Sequence, residues 1–240
     1  MKFRLFLTLF IFSCSLPCFS QNTLTNAEKK DGWKLLFDGK TTTGWRGAFA
    51  TEFPKQGWVV RDGEIRGELA EGKDRSGVGD LVTTKTYRNF ELVFDWKLGE
   101  LANSGVKYFV IDEGKPMPGV QPGYEYQMID DANYIYNDKH LPADLKTASL
   151  YDVIPATKAD TKMNQWHTSR IVVRQPIIEH WLDGQKVMET DRTSQAFKAG
   201  FEDSKFNKFP GYTTIQEGHI LLQDHGHSVA FRNLKIKELP

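Results

Sequence analysis

Residues Glu91 to Leu98 alternate without a break, with Leu92, Phe94, Trp96 and Leu98 on one side and Glu91, Val93, Asp95 and Lys97 on the other. An extended strand with one face in a core fits this period of two, whereas an α-helix would scatter the same apolar residues around its circumference. Shorter stretches of the same character are Trp33 to Phe37, Trp58 to Val60, Glu64 to Arg66, Val106 to Ile111, Tyr124 to Ile129 and Ser149 to Val153. They continue with His167 to Arg174, Glu179 to Leu182, Lys186 to Met188, His219 to Gln223 and Val229 to Glu238. Asp62-Gly63 and Asp183-Gly184 stand between adjacent runs, and such pairs suit type I′ hairpins, whose two central residues need positive φ. No long amphipathic helix pattern competes. The expectation is an all-β chain of antiparallel strands closed as a sandwich or barrel.

The N-terminus has the layout of a secretory signal peptide over residues 1–20: Lys2 and Arg4, an apolar run from Leu5 to Phe12, then small residues ending Cys18-Phe19-Ser20-Gln21. The run is too short for a membrane-spanning helix, which needs roughly 20 residues. Export to the periplasm or cell surface is therefore expected. Both cysteines, Cys14 and Cys18, lie in this leader, so the mature chain would hold itself together without disulfides. Lipid anchoring through a cysteine is the competing reading, and Pro17 before Cys18 fits it poorly. Residues 21–240 are expected to form one β domain. The 31 basic and 31 acidic residues balance and no basic block occurs, which argues against nucleic acid as a partner.

Two intervals rich in Gly, Pro, Asp and Lys, Asp112 to Gly123 and Gln195 to Gly211, read as long loops, with a helical turn near Thr193 to Ala199. In the run Tyr124 to Asp131, Glu125 and Gln127 leave the same face of one strand. A carboxylate beside an amide suits hydroxyl recognition and proton transfer, and a plain solvated sheet face is the alternative. Gln223-Asp224-His225-Gly226-His227 puts Gln223 and His225 in phase and Asp224 opposite. His225 can move protons near neutral pH. Asp with His can also hold a metal, but the spacing matches no diagnostic metal motif, and Asp224 capping turn amides is the simpler reading. Asn103-Ser104-Gly105 reads as a turn whose Asn103 could reach a sugar hydroxyl.

Trp45, Trp58, Trp166, Trp181, Tyr108, Tyr134 and Tyr136 supply flat apolar faces of the kind that stack on sugar rings, although most such rings belong in a core. The chain lacks a Gly-x-Ser-x-Gly elbow, a phosphate-binding loop, a dinucleotide fingerprint and a His-Glu-x-x-His motif, so no nucleotide cofactor is expected. A glycosidase pair through Glu125 with Asp130, Asp131 or Asp95 would need the fold to bring two carboxylates to roughly 5–10 Å.

In order along the chain, Gly32-Trp33-Lys34-Leu35-Leu36-Phe37-Asp38-Gly39, Asn89-Phe90-Glu91-Leu92, Asn103-Ser104-Gly105-Val106 and Tyr124-Glu125-Tyr126-Gln127-Met128-Ile129-Asp130 resemble the 3-keto-disaccharide hydrolase family. Ser149-Leu150-Tyr151-Asp152, Glu179-His180-Trp181-Leu182-Asp183-Gly184, Ser204-Lys205-Phe206, Gln223-Asp224-His225-Gly226 and Val229 to Ile236 continue the likeness. The resemblance implies a concanavalin-like jelly roll of two antiparallel sheets with a sugar site on one. It also implies a glycoside substrate already oxidised at C3 by a partner sugar dehydrogenase.

A C3 ketone acidifies the C2 proton and makes the C1 oxygen a β leaving group, so one base and one acid suffice for elimination, and added water completes a net hydrolysis. Glu125 and His225 are the expected acid/base residues, unassigned between the two roles. Gln127, Asn103 and Gln223 would bind hydroxyls. Lys205 would face the enolate, a role that a divalent cation could also fill. Two rivals use the same residues: a noncatalytic sugar-binding sandwich, and a glycosidase with paired carboxylates acting on unoxidised sugars.

Overall fold

The computed structural model describes residues 21–68, 79–113, 123–137, 139–157, 161–209 and 211–240. The leader with its two cysteines and most of the Asp112 to Gly123 loop lie outside the described residues. The chain forms β1 (Lys34–Leu35), β2 (Trp45–Gly47), β3 (Trp58–Arg61), β4 (Glu64–Gly67), β5 (Leu81–Tyr87), β6 (Phe90–Leu98), β7 (Asn103–Val110) and β8 (Tyr124–Ile129). Then follow β9 (Ile135–Tyr136), β10 (Lys139–His140), β11 (His167–Arg174), β12 (Ile177–Leu182), β13 (Gln185–Asp191), β14 (Gly218–Leu222) and β15 (Val229–Glu238). Helix α1 (Asn26–Lys30) precedes the strands, and α2 (Gln195–Asp203) lies between β13 and β14.

An eight-stranded antiparallel sheet runs β13-β12-β11-β6-β15-β4-β3, with β1 also paired to β15. A five-stranded sheet runs β2-β5-β14-β7-β8, and β9 and β10 make a separate hairpin. The chain switches sheets at nearly every step from β4 to β7 and again from β13 to β15, as in a jelly roll. One core joins the two sheets: Phe94 and Trp96 from β6, Tyr108 from β7, Tyr126 from β8, Ile171 from β11 and Leu222 from β14 are all fully buried within it. Trp96 donates its indole N–H to Ser169 Oγ (2.7 Å), and Ser169 donates to Tyr126 O–H (2.7 Å). The polar tips of these large rings are thereby satisfied inside the core, where an unpaired group would cost about 1–3 kcal/mol.

The alternation in β6 is realised as read, and both Asp-Gly pairs close hairpins with positive φ at each residue: 54° and 76° at Asp62 and Gly63, 47° and 81° at Asp183 and Gly184. Four local expectations are corrected. Ser149 to Val153 is no strand: Ala148 and Asp152 take positive φ, and only Leu150 bridges to Tyr126 and Ile154. Gln195 to Gly211 is not a plain loop, because Ser194 caps α2 through Phe197 N and short 3₁₀ turns follow. Asn103-Ser104-Gly105 is the start of β7 instead of a turn, since Gly105 pairs with Gln127. Trp33 to Phe37 narrows to the two residues of β1.

Candidate active site

β7 and β8 pair so that Asn103 lies opposite Ile129, Gly105 opposite Gln127 and Lys107 opposite Glu125. Tyr124, Tyr126 and Met128 enter the shared core, so Glu125 and Gln127 point to the other face of the smaller sheet. On β14, Leu222 is in the shared core, while Leu221 packs with Val82 and Val110 in a separate cluster on that outer face. Gln223 is in phase with Leu221, and its amide donates to Gly105 O (2.9 Å). Asp80, just before β5, is likewise in phase with Val82. Glu125, Lys107, Gly105, Gln223 and Asp80 therefore share one face across four neighbouring strands.

This face is not the open, solvated surface that the strand pattern alone would allow. Glu125 is 4% exposed, Lys107 8% and Gln127 1%, because the Ala148–Ile154 segment runs alongside β8, with Tyr151 N donating to Glu125 O (3.0 Å). Lys107 Nζ lies 3.4 Å from Glu125 Oε2, and this pairing compensates the buried carboxylate. Gly105 leaves room for it: a β-carbon there would stand 2.7 Å from Glu125 Oε1.

A second cation approaches from the segment after α2. Lys205 Nζ sits 4.4 Å from the Tyr151 ring centroid, and its backbone N donates to Asp152 Oδ2 (2.8 Å). Although the residue is exposed overall, the packing around its ammonium lowers its pKa from the usual lysine value. Lys107 adds to that pull, and Glu125 and Asp152 oppose it. Burial raises the Tyr151 phenol, as does the Glu125 charge. Burial also raises Asp152 against the amide and charge of Lys205. Asp80 accepts from Asp224 N (2.7 Å), and burial pushes its carboxyl up to about 6 despite the attraction of Lys107.

The other residues expected at the site divide. Asn103 Oδ1 and Gln223 Oε1 are buried acceptors without a donor among the described residues. Buried groups of this kind call for a partner, and hydroxyls of a ligand would serve. The Asn103 backbone N–H donates to His227 Nδ1 (3.2 Å). Gln127 Oε1 is also engaged, accepting from Met128 N (3.0 Å). His225 is exposed at the rim and stacked on His227 at 5.6 Å between centroids, and no ion pair joins it to Glu125. Asp224 does cap its turn, accepting from Gly226 N (3.1 Å).

The carboxylates first considered as partners of Glu125 have other work. Asp130 accepts from Leu101 N, Ala132 N, Asn133 N and Asn133 Nδ2. Asp131 accepts from Thr147 N (2.9 Å). Asp95 lies on the outer face of the larger sheet, bound by Thr168, Arg232 and Asn233. Among the described residues no three His, Cys, Asp or Glu side chains gather as a metal-binding set.

Sequence reasoning missed Lys107 and Asp80. Lys107 had a signal, a lone charge inside the apolar run Val106 to Ile111. Asp80 had none.

Residues 32–237 match the model of the 3-keto-α-glucoside-1,2-lyase-like domain family. The chain belongs to that family. A 3-keto-disaccharide hydrolase from Bacteroides thetaiotaomicron is 32% identical over 95% of this chain and 86% of its own length. A crystal structure of a Parabacteroides distasonis protein assigned to the glycosyl hydrolases superposes with a TM-score of 0.82 at 35% identity, over 92% of this chain and all of that one. A second such protein from the same organism gives 0.63 at 26% identity, over 81% of this chain and 99% of that one. The family's match covers every site residue described above.

Proposed function

We propose that this carbohydrate-active hydrolase cleaves 3-keto-glycosides by removing the C2 proton, expelling the C1 substituent and adding water. The observation that carries the reading is one buried carboxylate, Glu125, paired with the Lys107 ammonium and within electrostatic reach of Lys205. Glu125 is the base for C2–H. As the C–H electrons move into the ring, negative charge collects on the C3 oxygen, and Lys205 stabilises it with Lys107 behind. Preorganised cations in a water-poor recess are worth far more to a developing oxyanion than they would be in water. The unpaired oxygens of Asn103 and Gln223 accept from ring hydroxyls, and Gln127 buttresses β8 beside them. The departing C1 oxygen needs a proton from an acid of the site.

A noncatalytic binding sandwich has no use for a buried carboxylate held against one ammonium group and facing the charge of a second. Of the carboxylates first weighed as a glycosidase partner for Glu125, Asp130 and Asp95 are engaged elsewhere and Asp131 accepts from Thr147 N, and a glycosidase of the usual kind would act on the unoxidised glucoside as well, which the test below decides. By this reading a sugar C3 dehydrogenase acts upstream to make the substrate, and the leader at residues 1–20 exports the enzyme to the periplasm or cell surface.

The test offers the enzyme a glucoside and its 3-keto derivative, the latter deuterated at C2. Release of aglycone from the ketone alone, with C2 deuterium exchanged into ordinary water, is the expected result. Equal cleavage of the unoxidised glucoside, or full retention of C2 deuterium, would overturn the elimination route.

A further inference from the structure

The geometry points to Asp80, not His225, as the acid that protonates the departing C1 oxygen and then serves as the base for the incoming water. This rests on the elimination reading above and adds a second catalytic residue to the same site.

Across the sheet, Leu81 is paired with Leu222 and Gln223 bonds to Gly105, so Asp80, Gln223, Gly105 and Gln127 fall into one row. The Glu125 carboxylate, rooted two pairs away opposite Lys107, leans over Gly105 into this row. Asp80 and the Glu125 carboxylate over Gly105 thus stand on either side of Gln223. Adjacent strands are about 4.8 Å apart, so β5 and β7, on either side of β14, run roughly 10 Å apart. A sugar ring laid over Gln223 would set C2 toward Glu125 and the C1 substituent toward Asp80.

The charges that face Asp80 are Lys107, Glu125 and Asp224. The Asp224 amide holds one oxygen, which fixes the carboxyl plane and leaves the other oxygen for substrate. Burial keeps this carboxyl partly protonated near neutral pH, the state an acid requires. His225, by contrast, is exposed and stacked on His227.

The electron and proton balance closes without any further reagent. Glu125 takes the C2 proton and the enolate forms at C3. The enolate then collapses to the ketone, C1=C2 forms, the C1–O bond breaks, and Asp80 gives its proton to the departing oxygen. Water next adds to C1 while Asp80 takes its proton, and C2 recovers a proton from Glu125. Both residues return to their starting states.

The test compares Asp80→Asn with wild type and His225→Ala on two 3-keto-glucosides, one with a para-nitrophenyl and one with a methyl leaving group. A nitrophenolate leaves without help, whereas an alkoxide needs the acid. Asp80→Asn should lose about 10²–10⁴ in kcat on the methyl compound and less than about tenfold on the nitrophenyl compound. It should also lose the fall in wild-type kcat as pH rises through the Asp80 range. Equal losses on both substrates, or a leaving-group dependence that appears in His225→Ala instead, would overturn the assignment. Wild-type cleavage with C2 exchange in the same assay separates this failure from failure of the elimination reading, in which wild type itself would show no exchange.

Discussion

Substituting Gly105→Ala would add one methyl group to the site floor and separates catalysis from stability. The new β-carbon would stand 2.7 Å from Glu125 Oε1, 3.1 Å from Cγ and 3.2 Å from Cδ. The first contact is too close for any real pair, so the Glu125 side chain must rotate away from its place beside Lys107. The glycine backbone has no left-handed φ, and alanine in a strand interior is favoured over glycine by roughly 0.5–1 kcal/mol. Forcing Glu125 from its rotamer costs about 0.5–1.5 kcal/mol. The two effects nearly offset as long as the displaced carboxylate still reaches the Lys107 ammonium, so Tm should move by no more than a few degrees, at about 2–4 °C per kcal/mol for a chain of this size. Turnover should fall far more. A displacement of about 1 Å in a reacting group costs on the order of 10²-fold. Thermal melts alongside kcat for 3-keto-glucoside cleavage measure both quantities. If kcat stays within about threefold of wild type while the melt is unchanged, then the position of Glu125 over Gly105 does not set the rate. A melt lowered by more than about 10 °C would instead show that the sheet cannot absorb the methyl group.

Glu125→Gln keeps the side-chain shape but removes the base, so turnover should fall by roughly 10²–10⁴ with substrate binding largely kept; single-turnover rates and equilibrium binding check the split. Lys205→Met keeps the stem over Tyr151 and removes the charge, and kcat should drop by about 10²–10³ if Lys205 faces the enolate oxygen, with an unchanged rate arguing for Lys107 alone. His180, buried between Tyr108 and Ala148, is held neutral because burial lowers its pKa to about 3 against the raising effect of the Ala148 carbonyl. The unfolded chain takes up this proton near the ordinary 6.5 while the native state resists until about 3, so the stabilising contribution is complete above that range. It is lost as pH falls from 6.5 toward 3, by about 1.4 kcal/mol per pH unit. An NMR titration showing His180 protonated in the native protein at about pH 6 would contradict this.

Strand character was written in the sequence wherever one face of a strand meets the core, since a period of two leaves few other ways to bury Leu92, Phe94, Trp96 and Leu98 together. The Asp-Gly hairpins were equally legible, because positive φ at two successive residues is a local demand. Local phase likewise put Glu125 and Gln127 on one face. It failed at Ser149 to Val153, where the apolar residues pack through a bridged turn and the pattern could not report the positive φ at Ala148 and Asp152. The partners of Glu125 were decided only by the tertiary structure. Lys107 comes from an adjacent strand and Asp80 from across β14, and no local pattern states the register that aligns them. Register follows from how both sheets close on their shared core. The depth of the site has the same origin: Glu125 belongs to a strand that would read as half solvated, and it is buried where the Ala148–Ile154 segment, distant in the chain, runs alongside β8.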